Sequence, residues 1–294
     1  MNKTDRIIFG DNQFFGINHW SQEKAQALAE KYFNLQNVFR TYDAAFECGI
    51  RAVMLNSNVR AREICDYFRK NSSKYDQISW YPSIPYPHKY ADLVAEKGML
   101  NALSDVLFSN NSAVGALGML AKGGMAAFQK DIVALMKMLV DVEFRMFAGL
   151  NVKVLFLQNV ITDLLLGYGA KDLFRSFCDY VREKYKTVPG FITQNLPYMK
   201  RKLAEWGIDE VVVSSSINKI GYLMSPSVEA YLETIRENDP EKYPLMAMCT
   251  LASGAIPAKE AFPFINGLNI QSVVFGSSSE NNIREAVRLI RNPE

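Results

Sequence analysis

The sequence contains few of the residues on which metal centres and disulfide scaffolds depend. Its 294 residues include only two histidines and four widely separated cysteines, Cys48, Cys65, Cys178 and Cys249. No HxH, HExxH or CxxC spacing occurs, so we expect neither a metal site nor a disulfide framework. The cysteines are expected to be small buried side chains in a reducing compartment.

Charge of one sign and long apolar runs are also missing. The net charge is only +2, and no run of five like charges occurs, which argues against a nucleic-acid partner. Charged residues interrupt every apolar stretch within the length that a membrane helix needs, and the first residues lack the apolar core of a signal peptide. We therefore expect a cytoplasmic protein with a small-molecule ligand and no membrane partner.

Eight short apolar runs alternate with helical patterns along the chain. They are nearly continuous in apolar residues, which is typical of parallel strands buried on both faces. The series predicts a single-domain (β/α)8 TIM barrel over residues 1–294, with a doubly wound open sheet as the alternative. The runs are RIIFG (6–10), RAVMLN (51–56), ISWYPSI (78–84), VKVLFLQ (152–158), GFITQ (190–194), EVVVSS (210–215), LMAMCT (245–250) and SVVFG (272–276).

The segments between these runs have helical periodicity. Apolar stripes at helical spacing occur at 173–181, 228–235 and 283–290. Ser225 before Pro226 predicts an N-cap followed by proline at the first helical position.

One interval breaks the alternation, between the third and fourth runs. We interpret residues 86–150 as a helical and glycine-rich insertion, with helical patterns at 90–107 and 125–147. The stretch 110–125 between them is expected to form a lid over the barrel mouth, with Gly118, Gly123 and Gly124 as hinges. The alternative is a degenerate strand around AVGALG, which would change the strand count.

The active site of such a barrel lies at the C-terminal ends of its strands, which we call the mouth. Uncharged amides dominate there and suit hydroxyls, carbonyls or a nicotinamide, whereas no GxSxG elbow supports a Ser-His-Asp triad. Arg60 and Arg62 could clamp an acidic group or simply face solvent. The polar residues following the runs are Asp11, Asn12, Gln13, Asn18 and His19; Asn56, Ser57 and Asn58; Tyr86, His88, Lys89 and Tyr90; Gln158 and Asn159; Gln194 and Asn195; Asn218 and Lys219; Thr250 and Ser253.

Five of these residues are candidates for proton transfer or covalent chemistry. Asp11 is the first candidate for a general base, although it could instead cap a turn. His19 and His88 are either functional or hydrogen-bonded loop histidines. Lys89 and Lys219 could polarise a carbonyl or form a Schiff base, or be ordinary solvated lysines.

The loop after the eighth run has the composition of an anion site. Backbone N–H groups and the helix dipole favour a phosphate at such a position, and serines and an arginine add donors. The alternative is an ordinary capped helix without a ligand. The residues of this predicted phosphate loop are Gly276, Ser277, Ser278, Ser279, Asn282 and Arg284.

Several segments resemble the aldo-keto reductases. VLFLQN (154–159) resembles their fourth strand, LASGAIPAKEAF (251–262) their segment after the seventh strand, and VVFGSSSENNIREAV (273–287) their final strand and helix. AAFECGIRAVMLNSN (44–58) resembles the helix and second strand that precede their catalytic aspartate. The resemblance implies a barrel whose last segment grips the adenosine phosphate end of NADP(H), which is therefore the expected cofactor.

The resemblance fails at the family's catalytic residues. That set is Asp and Tyr after the second strand, Lys at the end of the third and His at the end of the fourth. Here Asn56 stands at the Asp position, Gln158 stands at the His position, and no Tyr follows Asn56 at the expected place. Lys89 matches the Lys only if the third strand extends further. The family's proton-transfer mechanism therefore cannot be carried over intact.

Three functional hypotheses follow. The first is an aldo-keto-reductase-like enzyme that acts on a small carbonyl or polyol with NADP(H). The second is a non-redox lyase or isomerase whose substrate phosphate binds the loop after the eighth strand, with Asp11, His88 or Lys89 in the chemistry. The third is a binding protein of the same fold that has lost catalysis. Nicotinamide binding separates the first hypothesis from the other two.

Overall fold

The chain is a closed (β/α)8 barrel. The computed structural model describes residues 4–17, 21–86 and 125–291, and its eight strands are all parallel, with β8 paired to β1. The predicted barrel is thus confirmed, and the open-sheet alternative is wrong. The strands are β1 (Ile7–Phe9), β2 (Ala52–Asn56), β3 (Ser79–Ile84), β4 (Val154–Leu157), β5 (Val188–Thr193), β6 (Val212–Ser216), β7 (Leu245–Met248) and β8 (Ser272–Phe275).

Helices connect these strands on the outside of the barrel. Two helices, α1 and α2, lie between β1 and β2. Short 3-10 turns occur at Asn12–Phe15, Arg145–Phe147 and Ala252–Gly254. The helices are α1 (Gln22–Phe33), α2 (Leu35–Glu47), α3 (Ala61–Lys70), α4 (Ser72–Tyr75), α5 (Met125–Phe144), α6 (Asn159–Gly167), α7 (Lys171–Tyr185), α8 (Leu196–Trp206), α9 (Val228–Arg236), α10 (Ala258–Asn266) and α11 (Glu280–Arg291).

The predicted apolar stripes face the barrel. In α7 the stripe buries Phe174, Phe177, Cys178 and Val181, and the stripe of α11 is buried in the same way, whereas in α9 only Tyr231 and Ile235 are fully buried. The predicted start of α9 is wrong by two residues. Its N-cap is Ser227, whose backbone is extended and whose hydroxyl accepts the N–H of Ala230 at 3.3 Å, so that the helix begins at Val228.

The inside of the barrel is filled by a separate apolar cluster that includes Ile8, Met54, Tyr81, Phe156 and Met246. Side chains two positions apart on a strand point to the same face. Polar residues that continue these inward-facing rows therefore lie at the mouth end of the lumen. They are Asn56 after Met54, Ser83 after Tyr81, and Gln158 after Phe156.

β3 pairs directly with β4, so the strand count stays at eight without a strand from the predicted insertion. The described part of that insertion is α5 with the turn Arg145–Phe147, where the 125–147 pattern predicted a helix. Residues 87–124, with the hinge glycines Gly118, Gly123 and Gly124, lie outside the described residues, and the lid stays a prediction. Within the described ranges, no helix is sufficiently long and apolar to cross a membrane.

Candidate active site

Asp11 and Asn56 form a hydrogen-bonded pair at the mouth, where β1 and β2 end. Oδ2 of Asp11 accepts the backbone N–H of Asn56 at 2.7 Å, and Oδ1 accepts its side-chain amide at 2.9 Å. Asp11 is buried, with 3% of its surface exposed. The end of β2 thus presents an amide that holds a carboxylate from the end of the neighbouring strand.

The environment of Asp11 changes its acidity. Burial raises the pKa of Asp11 from 3.8 to about 6, although the hydrogen bonds from Asn56 oppose the rise. Burial, and secondly the charge of Asp11, raises the pKa of Tyr86 after β3 and holds that of Tyr42 well above its ordinary value. The carboxyl of Asp11 is therefore poised to take up or release a proton near neutral pH.

Gln158 carries an unused acceptor at the same mouth. Its Oε1 atom is buried, and no described residue donates a hydrogen bond to it. The hydroxyls of Ser83, Ser214 and Thr250 are also buried without a partner in the described part of the chain. Buried polar atoms are normally hydrogen-bonded, so these groups are suited to a polar ligand or to ordered water.

The loop between β8 and α11 is built closely against the end of β1. A Cβ atom at Gly276 would lie 2.1 Å from Oε1 of Gln13, so only glycine fits while Gln13 stays in place. Gln13 is itself anchored, because its amide donates to the carbonyl of Gly10 at 2.8 Å. The space beside Gly276 is therefore filled by the side chain of Gln13.

The three serines and Asn282 shape the start of α11. Ser277 Oγ accepts the N–H of Ser279 at 3.1 Å, and Ser279 Oγ faces the N–H of Asn282 at 3.4 Å. Arg284 pairs with Glu280 on its own helix at 2.7 Å, and both side chains are more than half exposed. An exposed pair of this kind contributes little to stability.

Lys31 adds a second cation to this loop. It lies on α1, and its Nζ donates to the carbonyl of Ser278 at 2.8 Å. Sequence reasoning missed Lys31 because nothing in the local pattern links it to a residue 247 positions further along the chain. Lys31 at the loop and Arg284 on α11 thus provide two cations in this region.

The remaining candidates are not brought to the Asp11 pair by the described structure. Lys219 forms an ion pair with Glu260 of α10, with 37% and 53% of the two side chains exposed. His19, His88 and Lys89 lie outside the described residues, and their roles stay predictions. Within the described part of the chain, no cluster of three His, Cys, Asp or Glu side chains has the arrangement of a metal site.

Comparison by sequence finds no family model that matches the chain and no curated protein that matches it. Comparison of structures finds many aldo-keto reductases. One is a Pseudomonas aeruginosa protein assigned to the aldo-keto reductases. The match covers 98% of this chain and 90% of that protein, at a TM-score of 0.62 and 8% identity.

Two further structures agree. The Bombyx mori aldo-keto reductase, solved in complex with NADP, matches 99% of this chain and 85% of its own, at a TM-score of 0.52 and 9% identity. The match to a protein assigned as a 2,5-diketo-D-gluconic acid reductase covers 97% of this chain and 82% of that protein, at a TM-score of 0.54 and 13% identity. At such identities the likeness concerns the fold alone, and this chain has a (β/α)8 barrel like those of these aldo-keto reductases.

Proposed function

We propose that the chain is an NADP(H)-dependent oxidoreductase that interconverts a small carbonyl compound and its alcohol at the barrel mouth. The observation that carries the proposal is the buried Asp11 carboxyl, with a pKa of about 6, held by Asn56. A general acid or base works best when its pKa lies near the working pH. In this proposal Asp11 takes the proton-transfer role of the catalytic tyrosine of the aldo-keto reductases.

In the direction of reduction, protonated Asp11 gives its proton to the carbonyl oxygen. In the direction of oxidation, ionised Asp11 removes the proton from the hydroxyl. Asn56 orients the carboxyl in both directions, because its backbone and side-chain N–H groups both donate to it. The amide of Asn56 also partly stabilises the ionised form, since hydrogen bonds to a carboxylate lower its pKa.

The residues present are compatible with NADP(H), which would supply the hydride. The buried Oε1 of Gln158 accepts nothing from described residues and is suited to an amide N–H. At the other end, the loop of Ser277, Ser278 and Ser279, with Asn282, Lys31 and Arg284, offers donors and positive charge for phosphate groups. The Bombyx mori structure of the same fold contains NADP.

The first test measures the melting temperature with NADPH, NADP and a panel of sugar phosphates. A ligand that binds only the folded state raises the melting temperature by mass action. A rise with NADPH supports the proposal. A rise with sugar phosphates alone would contradict it and favour a non-redox lyase or isomerase, and no rise with any ligand would favour a protein that has lost catalysis.

Replacing Lys31 by alanine is expected to weaken NADPH binding roughly five- to tenfold, because the ammonium group loses its charge-assisted contact with a phosphate. Titration of NADPH fluorescence measures the change. Lys24→Ala is the matched control, because Lys24 is an exposed lysine on the same helix and the variant removes the same charge. Equal losses of affinity in the two variants would show that Lys31 contributes only through net charge.

A further inference from the structure

A cleft of about 370 Å³ opens beside the mouth, outside the ends of β1, β2 and β3. Its walls come from the turn after β1, from α1, and from the segments that follow β2 and β3. The volume lies in the range of about 300–1,000 Å³ that is typical of small-molecule sites. The lining residues are Phe14, Phe15, Ala29, Phe33, Asn58, Val59, Arg60 and Tyr86.

The walls of this cleft, which we call the aromatic cleft, leave large apolar side chains in water. Phe33 is 86% exposed and Val59 is 76% exposed, while Phe14 is buried beneath them. Phe15 and Tyr86 are half-buried. Single exposed apolar residues are common, but several that line one concave surface mark a binding site. The shape and the rings favour a ligand with a flat apolar group.

Arg60 places a positive charge in the aromatic cleft. Its guanidinium donates to the carbonyl oxygens of Tyr32 at 2.7 Å and Phe33 at 3.0 Å, at the end of α1. An arginine side chain has five N–H donors, so these two bonds leave three. No carboxylate of the described residues forms an ion pair with Arg60. The guanidinium is therefore held in place and ready to bind an anion.

We propose that the aromatic cleft binds a small aromatic carboxylate. The ring lies against Phe14, Phe33 and Tyr86, and the carboxylate accepts the free N–H groups of Arg60. A planar carboxylate matches the planar fork of guanidinium donors. This assignment concerns binding alone and does not rest on the proposed reductase activity, since neither Asp11 nor the loop after β8 lines the cleft.

Phenylacetate is the probe for the first measurement, by titration calorimetry with the full-length chain. Phenylacetamide has the same ring without the charge, and acetate has the charge without the ring. We expect phenylacetate to bind at least tenfold more tightly than either of them. Equal affinity for phenylacetate and phenylacetamide would overturn the role of Arg60, and equal affinity for phenylacetate and acetate would overturn the role of the rings.

Two variants locate the site. Arg60→Gln and Phe33→Ala are each expected to weaken phenylacetate binding at least fivefold, whereas Arg62→Gln, which removes an exposed charge two residues further along, in the first turn of α3, leaves binding unchanged. Phe33→Ala keeps the test valid if Arg60→Gln disturbs the end of α1, because the Phe33 side chain lies almost entirely in solvent. Unchanged binding in Phe33→Ala would overturn the proposal. A second result would also overturn it: phenylacetate fails to bind, and the wild type is a dimer that Phe33→Ala dissociates. In that case a second copy of the chain covers the cleft.

Discussion

Replacing Asp11 by asparagine is expected to change the free energy of unfolding differently at different pH. The change at pH 8 should be about 2 kcal/mol more stabilising than the change at pH 4.5. The folded-state pKa of about 6 lies above the ordinary value of 3.8, so the folded protein holds this proton more tightly than the unfolded chain. The stabilisation that comes from this tighter proton binding is fully present below about pH 4 and is lost as the pH rises through about 6. The full loss is about 3 kcal/mol, at about 1.4 kcal/mol per pKa unit.

Urea unfolding of the wild type and of Asp11→Asn, across pH 4.5 to 8, measures this difference. Any constant effect of the substitution on packing cancels when the two pH values are compared, so the variant serves as its own control. Two stability curves that run parallel across this pH range would contradict the account, because they would show that the Asp11 carboxyl titrates alike in the folded and unfolded states.

Replacing Gly190 by alanine is expected to destabilise the barrel by about 2–3 kcal/mol or more. Gly190 lies on β5 beside Phe156 of β4, and an added Cβ would lie 2.5 Å from the Phe156 ring and 2.8 Å from a methyl group of Val154. All of these atoms are in the packed interior of the barrel, which has no room for an extra carbon. Thermal or urea unfolding measures the loss.

Gly167→Ala is the matched control for this prediction. Gly167 ends α6, and no atom lies within 4 Å of the position that its Cβ would take, so the variant is expected to be neutral or slightly more stable. Adding Phe156→Leu to Gly190→Ala should recover part of the lost stability, because the two changes act on one contact. Fully additive losses in the double variant would show that the Phe156 ring is not the obstacle.

The strands and the barrel could be predicted from the sequence because their apolar runs reflect burial on both faces. SVVFG (272–276) predicts β8 within one residue of its observed end at Phe275. The start of α9 was less accessible, since Ser225 and Ser227 both precede the helix and only the backbone geometry shows that Ser227 caps it. Local composition therefore predicts that an element exists more securely than where it begins.

The candidate site was only partly predictable. Asp11 and Asn56 each follow a predicted strand, so their placement at one mouth follows from topology. Their hydrogen bonds depend on the register between β1 and β2, which no local pattern encodes. The contact between Lys31 and Ser278 joins distant parts of the chain. The pair of Glu280 and Arg284, by contrast, has the spacing of four residues that places opposite charges together on a helix.

The most direct test of the proposed function is the pH dependence of NADPH oxidation by the wild type and Asp11→Asn with a panel of small aldehydes and ketones. We expect kcat for reduction to fall about tenfold per pH unit above about pH 6, where Asp11 loses its proton. Asp11→Asn is expected to reduce kcat on the order of 10²-fold or more and to remove this dependence. An Asp11→Asn variant that keeps the wild-type rate and pH profile would contradict the proposed role of Asp11.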